Sequence, residues 1–287
     1  MSARIAYVIL AHHRPDLVVR LVRRLATGDA RFFVHVDRRA GGELPAVIRQ
    51  RLPMARLVRR RKCVWGGFGI VRAILEGLDA VHADGDGYDF VAVLSGQDYP
   101  VQPVRAIHEY LGERRAQSFL NHFTVPTPRW VRGGLERFTG WHWHGHMLGR
   151  HVAFPDPHLL GGWTWHRRFP EGFKPYGGSM YWALSRDAFR YVQDFIARNP
   201  RFVRYFKHVN IPDESFFQTI LMNSPLAPTI VDDDLHYTDW SAVKSHPKTL
   251  GSGDLDAVLG SGKLFARKFD DAGVLGEIDE RVHGAGQ

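Results

Sequence analysis

Cysteine is almost missing from this chain. Cys63 stands alone among 287 residues, so no disulfide can close within the chain, and a reducing, cytoplasmic setting is the expectation. Long hydrophobic runs are missing too. The first apolar stretch, Ile5 to Ala11, gives way at once to His12-His13-Arg14-Pro15. It is too short for a membrane span or for the apolar region of a secretory signal, so any contact with an anionic membrane is expected to be peripheral. No Gly-x-Gly-x-x-Gly follows that stretch and no Gly-x-x-x-x-Gly-Lys-Ser/Thr occurs anywhere, which removes the dinucleotide fingerprint and the P-loop.

What is present is a globular composition with a positive bias. Hydrophobic residues make up 44% of the chain and aromatics 12%, enough for a substantial core. The formal charge of +8 favours anionic partners such as a phosphorylated small molecule, anionic lipid or nucleic acid. Seven cations lie between Arg49 and Lys62, but no aromatics interleave with them. They read as a solvated face or a membrane-surface patch, and nucleic acid is not an expected partner.

Ile5 to Ala11, then an apolar helical pattern through Leu17, Val18, Leu21, Val22 and Leu25, then Phe32 to Val36, spell a βαβ unit. Phe90 to Leu94 is a further buried-strand run, and Phe119 to Phe123 another strand candidate. Continuous apolar strands alternating with helices predict an α/β fold with a mostly parallel sheet. In such sheets ligands gather at the carboxyl ends of the strands, which is where His12, Asp37 and Asp98 fall. Asp37 is placed to accept hydrogen bonds from a base or ribose, and it serves equally as a turn carboxylate.

From Pro126 to Pro175 the periodicity disappears and Trp130, Trp141, Trp143, Trp163 and Trp165 crowd among His, Arg and Gly. Indoles beside hydrogen-bonding groups suit sugar rings, and they equally suit an aromatic core beneath a long loop. His142, His144 and His146 alternate as residues on one strand face would, a weak zinc or nickel signal with no Cys or acid nearby to complete it. Asp232-Asp233-Asp234 offers hard oxygen ligands for a divalent ion on a diphosphate, or a polar turn.

Two late stretches carry the chemistry. Gly177-Gly178-Ser179 reads as a turn before the strand Met180 to Leu184, and Pro212-Asp213-Glu214-Ser215 opens a helix bearing Phe216, Phe217, Ile220 and Leu221. A carboxylate in that first turn is held in its charged form by the helix dipole and pushed upward in pKa by apolar neighbours. Near the end, Lys248, Arg267 and Lys268 lie in aromatic surroundings, where cations can neutralise a diphosphate without metal.

Phe33-Val34-His35-Val36-Asp37, Leu94-Ser95-Gly96-Gln97-Asp98-Tyr99-Pro100, Gly178-Ser179-Met180-Tyr181-Trp182, Pro212 to Thr219 and Leu264 to Asp270 stand in one order along nearly the whole chain. In that set the sequence resembles the core-2/I-branching β-1,6-N-acetylglucosaminyltransferase family, which also contains the peptide O-xylosyltransferases. The resemblance implies a Rossmann-like, GT-A type fold and an inverting, metal-independent transfer from a UDP-sugar to a glycan or glycoconjugate acceptor. It implies Glu214 as catalytic base and Lys268 as a diphosphate-binding cation, with Lys248 and Arg267 as candidates for a second. Asp37, with His12 and Asp98, falls to the nucleotide, and Trp141, Trp182, Tyr237 and Trp240 are candidate acceptor-binding aromatics. No metal and no other cofactor is expected. One domain is expected over 1–270, its nucleotide half ending near 125, with a polar tail over 271–287. A metal-dependent transferase using Asp232 to Asp234, or a non-catalytic carbohydrate-binding protein, are the alternatives.

Overall fold

Alternate residues of the first strand serve opposite layers. Ile5, Tyr7 and Ile9 join one apolar cluster, Ala6 and Val8 the other, and all are fully buried. That two-sided burial is why the run is apolar throughout. The computed structural model describes residues 2–85, 87–147, 150–154, 167–242 and 246–283. Its strands are β1 (Ile5–Ala11), β2 (Ala30–Val36), β3 (Ala55–Leu57), β4 (Phe90–Ser95), β5 (Tyr99–Pro100), β6 (Ser118–Thr124), β7 (Trp143–Met147), β8 (Arg150–Phe154), β9 (Tyr176–Ser185), β10 (Ile230–Val231), β11 (His236–Thr238) and β12 (Phe265–Arg267). Its α-helices are α1 (Pro15–Leu25), α2 (Glu43–Arg51), α3 (Gly69–Asp84), α4 (Val104–Gly112), α5 (Glu136–Thr139), α6 (Arg186–Arg198), α7 (Pro200–Phe206), α8 (Phe216–Met222), α9 (Leu255–Gly260) and α10 (Ala272–His283).

The main sheet has the order β10-β6-β9-β4-β1-β2-β3. β1 runs parallel to β2 and β4, β2 to β3 and β6 to β10, while β9 lies antiparallel between β4 and β6. Residues of α1, α2, α4, α9 and α10 cover one face, and those of α3, α6, α7 and α8 the other. The mainly parallel α/β architecture is the one expected. A small second sheet, β11-β12-β5, sits beyond the β4 end. No helix among the described residues is long and apolar enough to cross a membrane.

Three local readings are corrected. Gly177 and Gly178 do not form a turn but lie inside β9, where a Cβ at Gly178 would run into the Asn121 backbone and one at Gly177 into Trp130. The sheet bulges at this point, between Leu120 and His122 of β6. Glu214 is not in the first turn of the Phe216 helix; it closes a separate 3₁₀ turn, Pro212–Glu214, with Ser215 between the two. The stretch expected as a polar tail folds from Ala272 into α10. Its Val274, Leu275 and Ile278 are buried, and Asp279 accepts from the Tyr99 hydroxyl at 2.9 Å and pairs with Arg20 at 2.7 Å. Replacing Ile278 with Ala is therefore expected to cost about 2–5 kcal/mol in urea unfolding, whereas a dispensable tail would show no change.

Candidate functional site

The carboxyl edge of the sheet gathers the basic groups. β1 delivers the paired imidazoles of His12 and His13, their rings 4.0 Å apart. Protein packed around the His12 ring, then the neighbouring His13 and the charge of Lys268, lower its pKa to about 4, so it is neutral at pH 7. Burial and the Lys268 charge also lower His13, against the pull of Asp270. The Lys268 ammonium thus stands near both rings, and among the described residues it has no carboxylate within ion-pair distance. Its carbonyl accepts from Leu250 N at 2.8 Å, which brings the Lys248 segment alongside. Lys248 itself pairs with Asp254 at 2.6 Å. At the end of β2, Asp37 is buried and held by Arg39 at 2.8 Å. Burial would raise this carboxyl, but the hydrogen bonds and charge of Arg39 outweigh it and keep it below the usual range.

Asp98 and Arg267 go to each other. The Asp98 side chain is 0% exposed; it accepts from Ser95 N at 2.7 Å, Ser95 Oγ at 2.6 Å and Arg267 Nε at 3.2 Å, with His236 Nε2 at 3.6 Å. Burial acts to raise Asp98, yet His236 and Arg267 hold it low; the same contact with Asp98 overcomes burial and raises His236. Arg267 also lies 4.4 Å from the centre of the Tyr181 ring. Gln97 and Phe269 exchange hydrogen bonds of 2.9 and 3.2 Å, completing the attachment of the Lys268 segment to the β4 loop.

Glu214 comes from the opposite wall of the same edge. Ile211 adopts a left-handed φ of 50° and donates from its N–H to Gly66 O at 2.8 Å, which seats the Pro212–Glu214 turn on the 61–67 segment. That segment leads back to Asp37, whose carboxylate accepts from Cys63 N at 3.5 Å. Asp37 and Asp213 both bear on the Cys63 thiol, which burial first of all pushes up to about 12. The Pro212–Glu214 turn also packs on β9, and Arg267, next to Lys268, lies over the ring of Tyr181 in that same strand. The Glu214 turn and the Lys268 segment therefore share one edge of the sheet. The Glu214 side chain is 32% exposed and pairs with Arg137 at 2.9 Å. Burial raises its pKa, with Arg137 opposing. Asp213 is buried, its Oδ1 has no hydrogen-bond partner among the described residues, and burial followed by the Glu214 charge pushes it up to about 7.

The aromatic candidates separate. Trp182 is a core residue, 1% exposed against Phe217, and offers no surface to an acceptor. Trp141 is half-buried, stacked on Trp143 at 5.7 Å and crossed by Arg167, while Trp143 and Trp240 are exposed and Tyr237 is half-buried in β11. Trp163 and Trp165 lie outside the described residues, as does the His146 side chain. Among the described residues no group of three His, Cys, Asp or Glu is arranged to hold a metal ion. Each acid of the Asp232 triplet has a local partner: Asp232 takes Asn121 and His122 N, Asp233 takes Lys263, and Asp234 takes His236 N. Within the basic run, Arg60 binds the carbonyls of Val36, Asp37, Ala40 and Gly41 and Arg61 pairs with Glu76, so these two are internal fasteners.

The profile of the Core-2/I-Branching enzyme family matches residues 5–258. The chain belongs to the Core-2/I-Branching enzyme family. Among the relatives of this branching-family chain, Xylosyltransferase oxt of Drosophila pseudoobscura pseudoobscura is 26% identical over 312 residues, covering 98% of this chain and 33% of that protein. Human Xylosyltransferase 1 is 29% identical over 250 residues, covering 83% of this chain and 24% of that one. The chain thus spans a third or less of the length of these relatives. The apo crystal structure of mouse Xyloside xylosyltransferase 1 aligns over 94% of this chain and 99% of that one at 11% identity, with a TM-score of 0.43.

Sequence reasoning missed Arg137, Tyr181 and His236 as site residues of this family member. Arg137 sits in the aperiodic middle, where no pattern announces a contact with residue 214. Two outcomes are expected. Arg267→Met leaves Asp98 buried without its partner and should destabilise the fold by about 3–5 kcal/mol in urea unfolding; a change under about 1 kcal/mol would remove the pair from its structural role. The raised pKa of Asp213 means that the folded chain holds a proton that the unfolded chain releases, so stability present in acid is lost as pH rises from near 4 to about 7. Asp213→Asn should flatten that decline in unfolding curves taken at pH 5 and pH 8, and an unchanged slope would contradict the assignment.

Proposed function

We propose that this chain is a glycosyltransferase that moves a sugar from a UDP-sugar to an acceptor hydroxyl in one in-line displacement, with Glu214 as the general base and no divalent ion. The acceptor oxygen attacks the anomeric carbon and its proton passes to Glu214. The bond from that carbon to the diphosphate breaks, and the electron pair leaves on UDP. Lys268, with Lys248 on the neighbouring segment as the candidate second cation, would stabilise the departing charge as it develops. The observation that supports this reading is a carboxylate about a third exposed and an ammonium with no carboxylate partner among the described residues, both on one sheet edge, where the Glu214 turn packs on β9 and Arg267 lies over the Tyr181 ring of that strand. Metal independence is supported by the local engagement of Asp232 to Asp234. The relatives named as xylosyltransferases favour xylose over N-acetylglucosamine as the donor sugar.

Turnover of UDP-xylose and UDP-N-acetylglucosamine, with water or an added glycan as acceptor, is the test. Glu214→Gln should lose about 10² to 10⁴ in rate while UDP still raises the melting temperature, and EDTA should leave the wild-type rate unchanged. Loss of turnover in EDTA would favour a metal-dependent transferase, and glycan binding without any turnover would favour a binding protein.

A further inference from the structure

The carboxylate assigned as base is not held by its own turn alone. Arg137 Nη1 donates to Glu214 Oε2 at 2.9 Å, and the guanidinium lies 3.8 Å from the centre of the Trp130 ring. Both ends of this arm are fixed. The Arg137 carbonyl accepts from Asn210 N at 2.9 Å, just upstream of the Glu214 turn. Trp130 is wedged edge-on to Phe123 at 5.1 Å and pressed by Gly134 and Gly177, where any Cβ would collide with the indole. Arg137 therefore cannot follow a moving carboxylate far, and Glu214 Oε2 is tethered to a rigid cation. The other oxygen, Oε1, has no hydrogen-bond partner among the described residues, and about a third of the side chain, 32%, stays exposed.

We propose that Arg137 is a positioning residue for Glu214: it fixes Oε2 on the Trp130 platform so that Oε1 faces the acceptor hydroxyl. The inference rests on Glu214 being the base. Among the described residues the charged group that acts on Glu214 is Arg137 on α5, while Asp213, on the same turn, is itself raised by the Glu214 charge. With Arg137 removed, burial and the adjacent acid remain, and the carboxyl keeps its proton to higher pH. The Arg137–Glu214 pair thus opposes the desolvation that its enclosed position imposes.

The experiment titrates Glu214 by carboxyl ¹³C NMR in the whole chain, with the resonance identified by its loss in Glu214→Gln. It compares wild type, Arg137→Lys, Arg137→Gln and Trp130→Phe, and follows kcat and KM for the better UDP-sugar across pH. In Arg137→Gln the Glu214 midpoint should move up, kcat should fall by about 10²-fold with KM for the donor little changed, and the acid limb of the kcat profile should move up with the midpoint. Arg137→Lys should restore the midpoint toward wild type but only part of kcat, because an ammonium keeps the charge without the planar fork. Trp130→Phe should give a smaller shift of the same sign, and it serves where Arg137→Gln fails to fold. A midpoint and acid limb that stay put in all folded variants would overturn the proposal while leaving the base reading intact. If Glu214→Gln keeps the wild-type rate, the base reading itself is lost, whatever the titration gives.

Discussion

The buried pairing of Asp98 with Arg267 is the constraint from which the site's layout follows. A carboxylate with no exposed surface cannot stay ionised unless donors and positive charge surround it, and here Ser95 and Arg267 donate to it while the His236 ring stands 3.6 Å away. Those groups come from the last residue of β4, from β12 and from β11, so satisfying one buried acid joins the end of a central strand to the last third of the chain. Lys268 follows Arg267 directly and inherits its position beside His12 and His13. A residue far along the sequence is thereby fixed on the strand-end edge where α/β sheets collect ligands.

Across that edge the acidic wall is built by different means. Glu214 and Asp213 are neighbours on one short turn, yet their surroundings divide them. Glu214 meets a guanidinium and keeps an open oxygen, whereas Asp213 is buried with one oxygen unpartnered among the described residues and its pKa pushed up to about 7. Burial raises the pKa of both, and it is Glu214 that a guanidinium touches directly and so favours in its charged form. The Arg137 fork, braced on Trp130, makes the division stable and ties the aperiodic aromatic region into the site.

Much of this was legible in the sequence because two-sided burial writes itself plainly. β1, β2 and β4 are unbroken apolar runs, and the residues that follow them are the edge residues found. Glu214 and Lys268 were identified by resemblance, and the structure puts both on that edge. What was not legible depends on pairings between distant segments. Asp98 and Arg267 were each assigned to the nucleotide, but 169 residues apart in sequence they form one ion pair. Trp182 looked like a platform because a tryptophan carries no mark of depth, and it fills the core against Phe217. Gly177-Gly178 looked like a turn, since glycine signals turns and close backbone approach alike. α10 looked like a tail because glycines and acids interrupt its apolar residues. Only the fold shows that Asp279 is claimed by Tyr99, Arg20 and Arg24.

The central claim is that the ammonium at 268 and the carboxylate at 214 serve one bound nucleotide sugar from opposite sides. Calorimetric titration of UDP into wild type, Lys268→Ala and Glu214→Gln addresses it directly. The account predicts that Lys268→Ala weakens UDP binding by roughly 10- to 100-fold, as expected for losing a hydrogen bond to a charged group, while Glu214→Gln binds UDP as the wild type does. Equal affinity in Lys268→Ala and wild type would contradict it.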